Sequence, residues 1–160
     1  MSVQPADIRQ HIGRVLGDEA RLLGELELLL KREAEVLRGD DPLAIEQVGG
    51  SRHHCVDALT RLDAERMSTC RMLSFGSGRE AFEKLLAWCD TTQQLRAAWL
   101  RNLDLARRCQ GLNDRNGAVV ALKLGRVQQL LTTLRGSAPA VYGRQGARFA
   151  GFAQRELGQA

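Results

Sequence analysis

Four cysteines and a pair of adjacent histidines are the residues whose types could carry redox, nucleophilic or metal chemistry. Cys55, Cys70, Cys89 and Cys109 stand 15, 19 and 20 residues apart, with no CxxC pair among them. A zinc or redox centre needs ligands clustered closely enough to reach one ion or one another. This spacing predicts reduced, mostly buried thiols that behave as small apolar groups. His53 and His54 are neighbours, and adjacent helical residues point about 100° apart, so solvated imidazoles are expected rather than a metal pair. Asn102, Asn113 and Asn116 fall on the apolar face of a long periodic stretch. Catalysis would require a base, a nucleophile or an acid pair converging with them, and the carboxylate near them, Asp114, lies on a neighbouring face. An asparagine on an apolar seam is best attested as a device that fixes register. The chain is expected to be no enzyme, with no cofactor and no metal site.

The elements that position these residues are helices. Leu occurs 25 times and Ala 19, against 18 for Val, Ile and Thr together, a balance that favours helix over sheet. From about Pro5 to Arg38 the apolar residues keep a seven-residue step: Val15, Leu22, Leu29 and Val36 form one row, and Leu16, Leu23, Leu30 and Leu37 the next. That is a coiled-coil seam on a rod of roughly 50 Å. Gly13-xxx-Gly17 is read as tolerated surface glycine rather than a close-packing device. Gly39-Asp40-Asp41-Pro42 stops one helix and starts another, with Gly39 as C-cap, Asp41 as N-cap and Pro42 in the first turn. A second helix over 42–73 places Ile45, Val48, Cys55, Leu59, Leu62 and Leu73 on one face, interrupted by Arg52 and Arg66. Gly49-Gly50 weakens it and predicts a kink. Ser77 and Glu80 have the spacing of a capping box for a short helix over 78–88. Asp90-Thr91-Thr92 caps a last helix over 91–135, whose seam runs Leu95, Trp99, Asn102, Ala106, Cys109, Asn113, Asn116, Val120, Leu124, Val127, Leu131 and Leu134. The expected fold is all-α: an elongated antiparallel bundle or coiled-coil hairpin of about three long helices plus a short one, over 1–135.

Charge is unevenly spread. Residues 1–75 carry 10 basic and 13 acidic side chains, a net of −3, and residues 76–160 carry 13 and 6, a net of +7, which together give the formal +4 of the chain. Such a bias favours an acidic partner. Nucleic acid is not expected, since the arginines are scattered, aromatics are few (four Phe, two Trp and one Tyr) and no nucleic-acid module is present. No run of about 18 apolar residues exists to span a bilayer, so no stable membrane insertion is expected. The first nine residues include Asp7 and Arg9 where a signal peptide needs an apolar run, which predicts a cytoplasmic location.

The last segment, 136–160, changes character. Five of its 25 residues are glycine, and Val141, Tyr142, Phe149, Phe152 and Leu157 stand among Arg144, Arg148 and Arg155. It reads as a sparse basic tail, flexible until something orders it, with Phe149 and Phe152 spaced for a short amphipathic helix formed on binding. A frayed terminus packing on its own domain is the plainer alternative.

The stretch Asn113-Asp114-Arg115-Asn116-Gly117-Ala118-Val119-Val120, followed by Leu124, Val127, Leu130, Leu131 and Leu134 and then by Tyr142-Gly143-Arg144-Gln145-Gly146, resembles the FlgN family of flagellar export chaperones. In that family an N-x-x-N-G stretch in a long helix precedes a tyrosine with a glycine four residues on. The leucine-rich first helix, the acidic-proline hairpin and the length are also similar. The resemblance implies an all-helical cytoplasmic chaperone that binds the disordered, helix-forming C-terminal region of hook-associated proteins 1 and 3 and delivers them to the export-gate protein FlhA. It implies gate docking by Tyr142, and Asn113, Asn116, Gly117 and Gly146 match its motif. Gly49-Gly50 and Arg148-Phe149-Ala150-Gly151-Phe152 depart from the pattern. With the basic bias, the tail's glycine content and its isolated aromatics, the expected cargo surface is Val120, Leu124, Val127, Leu131, Leu134, Phe149 and Phe152. The competing reading is a generic coiled-coil adaptor or structural homo-oligomer, and a homodimer is compatible with either.

Overall fold

The computed structural model describes residues 3–135, which form α1 (Pro5–Val36), α2 (Pro42–Met72), α3 (Arg79–Cys89) and α4 (Gln94–Arg135). The all-α architecture is the expected one, an elongated bundle of three long helices and one short one. Consecutive long helices are antiparallel, so α1 and α4 run side by side in the same direction.

Each boundary has a local cause. Pro5 opens α1, where a missing N–H costs nothing. The chain leaves α1 through tightened turns, Arg38 N–H donating to the Glu35 carbonyl and Gly39 N–H to that of Val36, each at 3.1 Å. Leu37, not Gly39, occupies the C-cap. Asp41 caps α2 as expected, Oδ1 accepting from the N–H groups of Leu43 at 3.1 Å and Ala44 at 3.3 Å. α2 continues without a break through Gly49 and Gly50. The expected capping box of Ser77 and Glu80 does not form: Gly78 is the N-cap and no side chain caps the helix. The α2–α3 turn instead relies on Gly76 and Gly78 at φ of +95° and +89°, backbone that a Cβ would strain. Asp90, fully buried, caps α4 from four residues ahead of its start, Oδ2 accepting from Arg96 N–H at 3.0 Å.

Two cores lie along the rods. At the α1 N-terminal end, Ile8, Ile12 and Leu16 pack with Cys70, Phe82, Leu85, Leu86, Cys89 and Trp99, so α3 plugs the end of the bundle. Phe82 meets Trp99 edge-on, with ring centroids 5.1 Å apart. Toward the other end, Leu22, Leu26 and Leu30 of α1 lie against Cys55 of α2 and Cys109 of α4. All four cysteines are buried, free thiols, as their spacing predicted. Gly13 shows no close approach: an added Cβ would meet Leu95 Cδ2 at an ordinary 3.6 Å.

Burial, reinforced by the nearby Glu27 carboxylate, pushes the Cys109 thiol from 9.0 up to about 11. The folded chain therefore keeps a proton that the unfolded chain releases between those two values. Stability should be complete below about pH 9 and fall by about 2 kcal/mol as pH rises toward 11. Urea midpoints at about pH 8 and about pH 10.5 check this, and Cys109→Ala should reduce the difference between them.

Candidate functional site

The packing of α4 on α1 follows a column of side-chain donors one heptad apart. Asn102 Nδ2 donates to the Leu16 carbonyl at 3.0 Å, Cys109 Sγ to that of Leu23 at 3.5 Å, and Asn116 Nδ2 to that of Leu30 at 2.9 Å. Each donor lies 86 residues beyond its acceptor, so the two helices keep one register throughout. Lys123, the next member of the column, donates to the Gly39 carbonyl at 2.7 Å and pairs with Asp40 at 3.1 Å. It closes the column just past the end of α1.

Two of these donors belong to polar layers that join all three rods. Glu19 of α1 accepts from Asn102 at 2.9 Å and faces Arg66 of α2 at 3.6 Å. Glu33 accepts from Asn116 at 2.9 Å and from Arg52 Nε at 3.1 Å. The layers are 14 residues apart on every helix, with Leu26, Leu59 and Cys109 forming apolar packing between them. Arg66 is only 4 % exposed; it also pairs with Asp63, and its guanidinium lies 4.9 Å from the Phe82 ring centroid. Arg52 and Arg66, which interrupt the α2 face in the sequence, are thus the α2 members of the layers. Asn113 is half-buried and belongs to neither layer, and Gly117 is exposed with open space around it. Of the three seam asparagines, Asn102 and Asn116 hydrogen-bond to carbonyls of α1.

From Val120 onward no described residue buries the apolar seam. Val120, Leu124, Val127, Leu131 and Leu134 extend the face that α1 covers lower down, yet they are exposed, Leu134 at 82 %. Val119 and Leu130 widen the stripe, which spans about 140° of the helix surface at about 100° per residue. Leu122 is also exposed but lies outside the stripe, about 130° around the helix from its centre. From Lys123 to Arg135 the overhang is roughly 18 Å long at 1.5 Å per residue. A solvent-exposed helix ordinarily avoids such a row of large apolar side chains, and a contiguous one marks an interaction surface.

The stripe brings together the five α4 residues of the expected cargo surface. Phe149, Phe152, Tyr142 and Gly146 lie outside the described residues, as does the whole segment 136–160. The sequence reading omitted Leu130 and Val119 from the surface and Glu19 and Glu33 from the layers. For the glutamates the available signal was the 14-residue interval shared with Arg52/Arg66 and Asn102/Asn116. Among the described residues no cluster of His, Cys, Asp or Glu could hold a metal, and no helix is long and apolar enough to cross a membrane. His53 is exposed and pairs with Asp57 at 3.5 Å, as a solvated imidazole would.

Comparison with curated proteins and with solved structures finds no match. The family model of the FlgN protein matches residues 9–148, most of the chain and the whole bundle apart from the first turn of α1. The stretch from Asn113 through Gly146 lies inside that match. The chain belongs to the FlgN family of flagellar export chaperones.

Proposed function

We propose that the protein is a cytoplasmic chaperone of flagellar type III export that captures the C-terminal helices of hook-associated proteins 1 and 3, keeps them soluble and hands them to the export-gate protein FlhA. The observation that carries this reading is the apolar seam of α4 that the described residues leave exposed from Val120 onward. A disordered, amphipathic cargo end gains buried area by folding along such a face, and while held there it cannot associate with other copies of itself. Val120, Leu124, Val127, Leu131 and Leu134, widened by Leu130, form the α4 part of the cargo site. Phe149 and Phe152 extend it from the tail, and Tyr142 docks at the gate, while Asn116, Gly117 and Gly146 carry the family motif. The division into a bundle over 1–135 and a basic tail over 136–160 matches this division of labour. A scaffold or permanent homo-oligomer would use the same seam on its own copies.

Titration of the full chain with a synthetic peptide of the C-terminal helix of hook-associated protein 1 or 3 tests the proposal. One peptide should bind per chain, with a gain in helical circular dichroism as the peptide orders. A chain truncated at Gly136 should melt unchanged but bind the peptide more weakly. Extensive self-assembly by sedimentation, with no peptide binding, would favour the scaffold.

A further inference from the structure

We infer that the α4 seam left exposed by α1, α2 and α3 is built for a single helix whose apolar face is flanked by carboxylates, a helix that takes up the course α1 leaves at Leu37. The inference rests on the function proposed above and specifies the chemistry of the cargo segment. Three features of the seam carry it.

The first is charge. From Arg115 through Arg155 the chain has seven basic residues and no acidic one. Within the described part, Arg126 lies at one margin of the apolar stripe and Arg135 at the other, so a helix laid on the stripe meets guanidinium groups on both sides. Carboxylates flanking the apolar face of that helix would pair with them. The second is the donor column. Asn102, Cys109, Asn116 and Lys123 each hold a backbone carbonyl of α1 or of the turn that ends it, and the next member of the column is Leu130. The seam changes from polar donors to leucine where α1 stops, so the overhang is suited to an apolar face rather than to more of the α1 type of contact. The third is the fit to competitors. A second copy of this chain would bring the same basic margins against these, a like-charge arrangement that disfavours self-pairing.

The test uses the full chain and three synthetic amphipathic peptides of about 20 residues. They share one leucine face and differ only in carrying Glu, Gln or Lys at the flanking positions. At about 50 mM salt the Glu peptide should bind about tenfold or more tighter than the Lys peptide, and the gap should shrink at about 500 mM salt as the pairs are screened. The double variant Arg126→Glu/Arg135→Glu should reverse the preference. Both positions are exposed, so its thermal melt should match that of the unaltered chain. Equal binding of the Glu and Lys peptides would overturn the inference, as would tighter retention by phosphatidylglycerol vesicles than by any peptide, or a concentration-dependent dimer that blocks the seam. If the natural cargo peptide binds but shows no charge preference, the charge inference falls and the chaperone reading stands. If neither natural nor designed helices bind, both fall.

Discussion

Glu19→Ala is expected to lower the unfolding free energy by about 3 kcal/mol, although it removes a single side chain at the edge of the core. Glu19 is the acid that joins Arg66 of α2 to Asn102 of α4. Without it the guanidinium, 4 % exposed, keeps Asp63 as its one carboxylate partner, and its Nε already lacks an acceptor. Breaking one member of a buried charged pair leaves the other desolvated, typically at about 3–5 kcal/mol; Asp63 places this case at the lower end. Replacing the layer as a unit, with Arg66→Met, Glu19→Leu and Asn102→Leu together, should restore most of that stability, since no buried charge remains. The unit replacement should relax the register that the layers fix, seen as several species in sedimentation. Urea unfolding of the unaltered chain, Glu19→Ala and the triple variant decides the matter. A loss under about 1 kcal/mol for Glu19→Ala would mean that the layer contributes little to the bundle.

The second large effect falls on binding and leaves the fold alone. Val127→Glu/Leu131→Glu places two carboxylates in the middle of the exposed stripe, where neither residue packs against the bundle. Surface changes of this kind shift stability by about 0.5 kcal/mol or less. Each should remove roughly 1–2 kcal/mol of apolar burial from a bound cargo helix and add the cost of desolvating a carboxylate, so affinity for the cargo peptide should fall about 100-fold or more. Leu122→Glu alters a more exposed leucine about 130° around the same helix from the centre of the stripe and should leave affinity within about twofold. Titration calorimetry on the two variants separates a specific stripe from general stickiness.

The helices were legible in the sequence because their stabilising contacts repeat. Leucines one heptad apart mark α1, and Asp41-Pro42 marks the start of α2, since capping and the missing proline N–H act within a single turn. The Ser77–Glu80 pair misled because a capping box is optional where glycine backbone makes the turn, as it does at Gly76 and Gly78. The polar layers were legible only in halves. Arg66 on one helix and Asn102 on another each look like a flaw in an apolar face, and Glu19 looks like an ordinary surface acid. Their meaning lies in pairings 47 and 83 residues apart along the chain. The exposed stripe had the same limit. The period of the α4 seam is identical on either side of Lys123, so the sequence placed Leu124 and Leu131 on the same face as Cys109. Only the register against α1 divides the covered half from the uncovered half.

Amide hydrogen exchange of the full chain, with and without the C-terminal peptide of a hook-associated protein, tests the central claim most directly. In the free chain, amides of α4 beyond Lys123 should exchange far faster than those around Asn102 and Cys109, because none of the described helices covers them. On adding the peptide, protection should rise across about 119–135 and change little in α1, α2 and α3. Protection gained chiefly in α2 or α3, or none anywhere in α4 at saturating peptide, would contradict an α4 seam that a cargo helix completes.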